Sequence, residues 1–192
     1  MKRKYQLIIL AFFFNQGSYA ESFLPNYPRI ILETTEGTIV LELDNKKAPI
    51  TVRNFIELVD KKFYDNTIFH RVIPDFMIQG GGFNRDLDKK ESNKTIPNES
   101  GNGIPNLRGT IAMARLLQPH TAGSQFFINV VDNRNLNPGP SNWGYAVFGY
   151  VIDGMNIVDK ISKMPTSSSG QFKSDVPIVP VIVTKAYWKK DI

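Results

Sequence analysis

The 192-residue chain contains no cysteine and only two histidines. Without cysteine the protein forms no disulfide and has no thiolate for catalysis, a composition that suits an exported protein because it avoids oxidation. Neither His70 nor His120 has an acidic partner at the spacing that metal ligands require, so the sequence predicts no metal site. No Ser–His–Asp arrangement is indicated and no cofactor is implied.

Long runs of positive charge are also missing. The formal net charge is +5, but Lys2, Arg3 and Lys4 supply three of these charges, which leaves +2 for the rest of the chain. A nucleic-acid-binding domain normally carries a basic run or patch. Nucleic acid is therefore not the expected partner.

The first 20 residues have the pattern of a secretory signal peptide. A basic segment at residues 2–4 precedes an apolar run at residues 7–14, and Ser18 and Ala20 place small residues where a signal peptidase reads them. The eight apolar residues are too few to span a bilayer, which needs about 20. We predict cleavage after Ala20 and no stable membrane insertion afterwards. A buried N-terminal helix and an uncleaved anchor are the alternatives.

The predicted mature chain, residues 21–192, shows no internal repeat and no linker, so one domain is expected. A bacterial periplasm is the expected location, because a eukaryotic secreted domain of this size more often contains disulfides.

Hydrophobic periodicity predicts many short strands and two helices. Residues 28–33 and 38–43 read as a hairpin joined at residues 35–37. Pro49 fits the first turn of a helix, and a second, shorter helix is predicted at residues 153–161. The apolar face of the first helix is formed by Val52, Phe55, Ile56 and Val59. Other short β-like runs are predicted at residues 68–73, 76–79, 110–114, 125–131, 145–150 and 178–188, with the longest connections at 80–109 and 132–144.

This arrangement favours a closed antiparallel barrel covered by helices, although periodicity alone also allows a β-sandwich.

Two segments contain polar residues that a core strand does not need. Residues 69–82, FHRVIPDFMIQGGG, place a cation and an amide among large apolar residues, and residues 123–129 read GSQFFIN. Pro74 interrupts the first segment and is expected to bend it. If the strand were regular, Arg71, Ile73, Asp75, Met77 and Gln79 would share one face.

The two segments, in this order, resemble the signature of the cyclophilin-type peptidyl-prolyl cis–trans isomerases, in particular the bacterial exported subgroup. The resemblance covers residues 28–188. It implies a mainly β fold, a closed eight-stranded antiparallel barrel capped by two α-helices. It also implies a monomer that isomerises Xaa-Pro bonds in unfolded or flexible proline-containing polypeptides and so assists folding. The alternative is a non-catalytic module that binds proline peptides in the same groove, as a chaperone or adhesion surface.

The resemblance assigns roles to ten residues. Arg71 corresponds to the catalytic arginine, although by itself an arginine in a strand would be read as a surface residue. The resemblance also implies an apolar slot for the proline ring. Without the resemblance, its residues would be read as ordinary core: Phe76, Met77, Phe127 and Leu136. Gln79 and Gln125 are amides in apolar strands, which serve either structure or substrate because burying an amide without a hydrogen bond is costly. The expected substrate-binding residues are Phe76, Met77, Gln79, Ala114, Arg115, Gln125, Phe127, Leu136 and Tyr145.

Four positions depart from the best-known family pattern. Arg115 replaces an asparagine, and its contact with substrate is expected through the backbone. Asn135 replaces a tryptophan of many eukaryotic members, so weak binding of cyclosporin-type inhibitors is expected. Tyr145 replaces a histidine of those members. Asp75 replaces a glycine, and because aspartate tolerates turn conformations we expect only a local adjustment. His70 is expected to face away from Arg71 and to be structural.

Overall fold

The computed structural model describes residues 24–92 and 94–189. The predicted signal peptide lies outside these residues. Within them the chain forms ten strands and two α-helices, Pro49–Asp60 (α1) and Met155–Ser162 (α2). The strands are Arg29–Thr34 (β1), Gly37–Leu43 (β2), Thr67–Ile73 (β3), Met77–Asn84 (β4), Thr110–Met113 (β5), Phe126–Asn129 (β6), Val147–Asp153 (β7), Thr166–Ser169 (β8), Phe172–Pro177 (β9) and Ile182–Lys189 (β10).

Eight of these strands close into an antiparallel barrel in the order β1-β10-β3-β4-β6-β5-β7-β2. The predicted barrel is therefore confirmed, and the β-sandwich alternative is wrong. Closure leaves the barrel itself without an unpaired edge. The remaining strands, β8 and β9, pair only with each other. Sequence analysis missed this hairpin, because its first strand is Thr166–Ser169 and consists entirely of small polar residues.

The barrel interior holds the main hydrophobic core, and both helices pack against it. The apolar face predicted for α1 is confirmed, because its four residues are all buried. The Phe55 ring lies 5.2 Å from the Phe148 ring and 5.6 Å from the Phe126 ring, measured between centroids. Helix α2 adds Val158 and Ile161 to the same core. No helix in the described ranges is long and apolar enough to cross a membrane.

A distant carboxylate caps the start of α1. Pro49 occupies the first turn, as predicted. The Ile50 and Thr51 backbone N–H groups donate to the two carboxylate oxygens of Glu99, at 3.1 and 2.8 Å, and the Thr51 hydroxyl donates to the same side chain at 2.7 Å. These N–H groups have no partner inside the helix, and a negative charge there also suits the helix dipole. The cap ties α1 to the long connection after β4.

Several predicted boundaries needed correction. Strand β4 continues to Asn84, through glycines that were assigned to a loop. Gly81 has φ +79°, a conformation that glycine adopts at little cost, and it lets the chain bulge without leaving the sheet. The last strand begins at Ile182, not at residue 178, and the second helix spans 155–162.

Candidate active site

The segment 69–82 is a hairpin rather than one bent strand. Pro74, Asp75 and Phe76 form the turn between β3 and β4, and the Phe76 N–H donates to the Ile73 carbonyl at 3.3 Å. Asp75 has φ +54°, which confirms the expected turn conformation there. Because the turn reverses the chain, Arg71 pairs directly with Gln79 across the two strands, and Ile73 pairs with Met77.

Strand pairing extends this row across the outside of the barrel. Gln79 pairs with Phe127 on β6, and Phe127 pairs with Ala112 on β5. Directly opposed residues share a face, and neighbours along a strand alternate between faces. Ile78, Phe126 and Ile128 therefore point into the barrel core, as their burial there shows. Arg71, Gln79 and Phe127 lie on the outer face.

A second apolar cluster, separate from the barrel core, covers this outer face. Its buried members include Met77, Ala112 and Phe127. Leu136 and Tyr145, both in the connection between β6 and β7, pack against them. The Phe127 and Tyr145 rings lie 5.6 Å apart in an edge-to-face arrangement at 82°, a geometry that aromatic quadrupoles favour. The cluster is the floor of a surface cavity.

The cavity has a volume of about 450 Å³, and all ten residues predicted from the sequence line it. The structure thus brings together residues from β3, β4, β6 and three connecting segments. No predicted site residue lies elsewhere. The other lining residues are His70, Phe83, Lys89, Leu116 and Phe172.

The two glutamines bond to each other at the cavity wall. Gln79 Nε2 donates to Gln125 Oε1 at 2.9 Å. This bond fixes both amides and occupies one polar atom of each, whereas each amide has one acceptor oxygen and two donor hydrogens. Gly82 makes room for the pair, because a Cβ atom at that position would lie 2.4 Å from Gln125 Cγ.

The Arg115 side chain makes intramolecular contacts with the loop that carries Tyr145. Its Nε donates to the Gly144 carbonyl at 2.8 Å, and its guanidinium carbon lies 4.6 Å from the centre of the Tyr145 ring. The neighbouring Ala114 N–H donates to the Gln125 carbonyl at 2.9 Å. The Arg115 side chain is therefore committed to intramolecular contacts, which agrees with the expectation that only its backbone meets substrate.

Arg71 reaches the cavity with 43% of its side chain exposed, and its Nε lies 3.8 Å from Asp175 Oδ2. Asp175 belongs to the β8–β9 hairpin, has φ +69°, and was missed in the sequence. Phe172 packs the hairpin against β3 and β4. Its ring centroid lies 5.5 Å from that of His70 and 5.0 Å from that of Phe83. Only the fold brings this hairpin to the site.

His70 is buried, with 2% of its surface exposed. The prediction that it faces away from Arg71 is wrong, because β3 bulges between Phe69 and Arg71. Phe69 and Val72 both enter the barrel core, and His70 lines the same cavity as Arg71. The pKa of His70 is lowered to about 4, mainly by burial and in smaller part by the adjacent Arg71 charge, while the Ile68 backbone and the Gln125 amide act in the opposite direction. Within the described ranges its Nδ1 has no hydrogen-bond partner. His70 is thus a neutral packing residue at neutral pH.

A chain of buried asparagines supports the cavity, and sequence analysis missed it because asparagine ordinarily indicates a turn. Asn133 Nδ2 donates to the Phe76 carbonyl at 2.8 Å and to Asn129 Oδ1 at 2.7 Å. Asn129 donates in turn to Asn106 Oδ1 at 3.3 Å, and Asn106 donates to the Leu136 carbonyl at 3.3 Å. These amides hold the backbones of two expected slot residues.

The second histidine, His120, is held by a backbone hydrogen bond. His120 Nδ1 accepts a hydrogen bond from the Asn98 backbone N–H at 3.0 Å. Across residues 24–92 and 94–189 there is no group of three or more His, Cys, Asp or Glu side chains able to hold a metal ion.

A closed barrel with an apolar slot and a cation on its outer face is the arrangement that the resemblance to the cyclophilin-type prolyl isomerases implies. The chain belongs to the cyclophilin family: residues 29–183 match the family model described as cyclophilin type peptidyl-prolyl cis-trans isomerase/CLD. The activity of the protein is therefore the cis–trans isomerisation of Xaa-Pro peptide bonds.

Two bacterial relatives are identical to this chain at about half of the aligned positions. Peptidyl-prolyl cis-trans isomerase A of Dickeya dadantii is 50% identical over 157 residues, which is 82% of each chain. Peptidyl-prolyl cis-trans isomerase B of Escherichia coli is 51% identical over 157 residues, which is 80% of this chain and 95% of that protein. A solved cyclophilin-type isomerase of Cryptosporidium parvum superposes with a TM-score of 0.70 at 26% identity, covering 86% of this chain and 99% of that one. A second structure of that protein, determined in the presence of the dipeptide Ala-Pro, gives a TM-score of 0.69 at 27% identity, covering 85% of this chain and 99% of that one.

Proposed function

We propose that the cavity beside Arg71 is the isomerisation site. Rotation about an amide bond meets a barrier of about 18–20 kcal/mol, because resonance gives the bond partial double-bond character. Turnover of roughly ten per second requires a barrier about 4 kcal/mol lower than that of the unassisted reaction. The reaction needs no nucleophile and no proton transfer. It needs a slot for the proline ring, anchors for the flanking backbone, and a donor for the prolyl nitrogen.

Arg71 is the proposed donor, and the observation that carries this assignment is its position beside the slot. Its half-exposed guanidinium shares the outer-face row with Gln79 and Phe127. As the amide twists, resonance is lost and the prolyl nitrogen gains a lone pair. A permanently charged donor aimed there stabilises the twisted state more than the planar one.

The remaining residues have two proposed roles. Gln79, Gln125 and the backbones of Ala114 and Arg115 would hold the peptide main chain on either side of the proline. The proline ring would lie against the apolar residues Phe76, Met77, Phe127, Leu136 and Tyr145, which line the cavity.

The proposed substrates are unfolded or flexible proline-containing polypeptides in a bacterial periplasm, and the protein acts there as a monomer. The basic, apolar and small residues of segment 1–20 support export. The composition without cysteine agrees with an oxidising compartment. The Ala-Pro dipeptide used with the Cryptosporidium neighbour supports proline-containing ligands for this chain as well.

The test is an assay of cis–trans exchange on an Ala-Pro peptide with wild type and Arg71→Ala. We expect the substitution to lower kcat and kcat/KM by about 100-fold or more, as loss of a transition-state donor does. Peptide affinity, measured by calorimetry, should fall by less than about tenfold, because the donor acts mainly on the twisted amide. Arg71→Lys keeps the charge but not the planar fork and should be intermediate.

Arg53→Ala is the matched control, since Arg53 is an exposed arginine on α1 and does not line the cavity. It should retain wild-type kinetics. Full activity of Arg71→Ala would disprove the proposed mechanism. Peptide binding without any exchange in the wild type would favour the non-catalytic module.

A further inference from the structure

Three large apolar side chains are exposed on two loops beside the cavity. Leu116 is 74% exposed, Leu117 90% and Trp143 59%. Single exposed apolar residues are common on protein surfaces, whereas a group of them at one place marks an interaction site. We call these three residues the apolar rim.

Arg115 fastens the two loops of the apolar rim together. Its Nη1 donates to the carbonyls of Leu116 and Leu117, at 2.9 and 3.1 Å, and its Nε donates to the carbonyl of Gly144, the residue after Trp143. One guanidinium therefore spans the backbones that carry all three rim residues. The charged fork faces backbone oxygens, and the apolar side chains are left toward solvent.

Trp143 is also held in place before any ligand arrives. Its carbonyl accepts hydrogen bonds from the Ser100 hydroxyl and the Asn98 amide. Its ring lies 5.7 Å from the His120 ring, and His120 is fixed by the Asn98 backbone N–H at 3.0 Å. A side chain that is already ordered loses little conformational entropy when it binds a partner.

The apolar rim is continuous with the proposed substrate site. Leu116 lines the cavity, and it also lines the adjoining cavity bounded by Lys90, Ser92 and Thr121. Leu117 and Trp143 do not line either cavity. They therefore lie outside the space that a proline and its immediate neighbours would fill, at a distance from the proline that only a longer chain reaches.

We propose that the apolar rim binds apolar side chains that flank the reacting proline in an unfolded polypeptide. The inference rests on the proposed function and deepens it by assigning a site to the apolar side chains that flank the proline. An unfolded chain exposes leucine and aromatic side chains that a folded protein buries. A site that binds such a side chain a few residues from the proline selects unfolded chains over proline-containing loops of folded proteins.

The experiment compares two substrates in the full chain. One is a blocked Ala-Ala-Pro-Ala peptide, which fills only the cavity, and the other is a longer peptide with the same centre and leucines on both sides. In the double variant Leu117→Ser/Trp143→Ser we expect kcat/KM for the longer peptide to fall by about three- to tenfold, through KM, as apolar contact area is lost. The short peptide should change by less than about twofold.

Ile178→Ser/Val179→Ser is the matched control, because both residues are 62% exposed and neither lines the cavities. It should behave like wild type on both peptides. Equal losses on both peptides in the rim variant, or no loss on either, would overturn the proposal. So would self-association of the wild type in sedimentation experiments that the rim variant abolishes, because the occupant would then be a second copy of the chain. Failure of the proposed function is a separate result: the wild type would not turn over the short peptide at all.

Discussion

Arg71 and Asp175 form the ion pair that borders the cavity, and at the scale of single residues this pair is the feature with the clearest catalytic consequence. Their side chains are 43% and 33% exposed, and the Nε–Oδ2 distance is 3.8 Å. Exposed pairs of this kind contribute little stability, typically below about 1 kcal/mol. The pair matters instead because it restricts the directions in which the Arg71 fork points.

Replacing Asp175 by alanine should therefore affect turnover more than stability. We expect kcat to fall by about two- to fivefold with little change in KM, because a less ordered donor reaches the prolyl nitrogen less often. Asp175→Glu should recover part of the loss. Steady-state kinetics and thermal unfolding give the two readouts.

Glu42→Ala serves as the control, since it removes the exposed Arg29–Glu42 pair at 3.1 Å on strands that do not line the cavity. An equal loss of kcat in both variants would show that Asp175 has no specific role.

His70 makes a prediction about pH. Its pKa is about 4 in the folded protein, whereas an unfolded histidine has a pKa near 6.5. The unfolded chain therefore binds a proton as pH falls below about 6.5, and the folded chain does not until about pH 4. Stability should be complete above this window and should decrease as pH falls through it, by up to about 3 kcal/mol for this group.

Chemical unfolding of wild type and His70→Gln between pH 7 and pH 4 measures this contribution. The variant is expected to be less stable at pH 7 but to lose less stability on acidification, since its side chain does not titrate. Parallel pH profiles for the two proteins would contradict the burial of a neutral His70.

At the scale of elements, the β3–β4 hairpin and strand β6 create the site by alternation. Ile78, Phe126 and Ile128 enter the barrel core, while Met77 and Phe127 belong to the outer cluster, so the same strands serve both stability and binding. The loops that complete the cavity need a separate support, which the asparagines at 106, 129 and 133 provide.

Replacing Asn133 by leucine tests that support. The substitution leaves Asn129 Oδ1 without its donor in a buried place, at a cost of roughly 1–3 kcal/mol. The Phe76 carbonyl keeps the Val130 N–H at 3.0 Å. We expect a loss of about 1–3 kcal/mol in unfolding free energy and a several-fold higher KM, because one hydrogen bond instead of two holds the Phe76 backbone beside the slot.

Thr51→Val is a control with a buried hydrogen bond elsewhere, at the start of α1. It should lower stability and leave KM unchanged. If the Asn133→Leu variant loses stability but keeps the wild-type KM, the asparagines support the fold and not the cavity.

At the scale of the whole molecule, export would determine where the barrel works. We expect the mature chain to begin at Glu21, and N-terminal sequencing of the periplasmic fraction measures this. Ala20→Leu should block cleavage, because the peptidase reads small residues at this position and at Ser18. Tyr19→Leu should be cleaved normally, since the residue between them is not read. A cleaved Ala20→Leu chain would contradict the assigned site.

The sequence by itself determined the elements with strong local signals. The 3.6-residue spacing of Val52, Phe55, Ile56 and Val59 predicted α1, and alternation predicted the first hairpin. The segments 69–82 and 123–129 predicted the family and, through it, the barrel and ten residues that line one cavity. These features were readable because each depends on residues close together in the chain.

Tertiary structure alone decided the features that depend on distant residues. The β8–β9 hairpin lacks an apolar pattern, so neither Asp175 beside Arg71 nor Phe172 behind His70 had a local signal. The Glu99 cap on α1 and the buried asparagines also had no local signal. In the sequence the asparagines indicate turns, and they become buried only when the barrel closes. Closure joins segments far apart in sequence, and a side chain acquires its partner only when the backbone has been brought there.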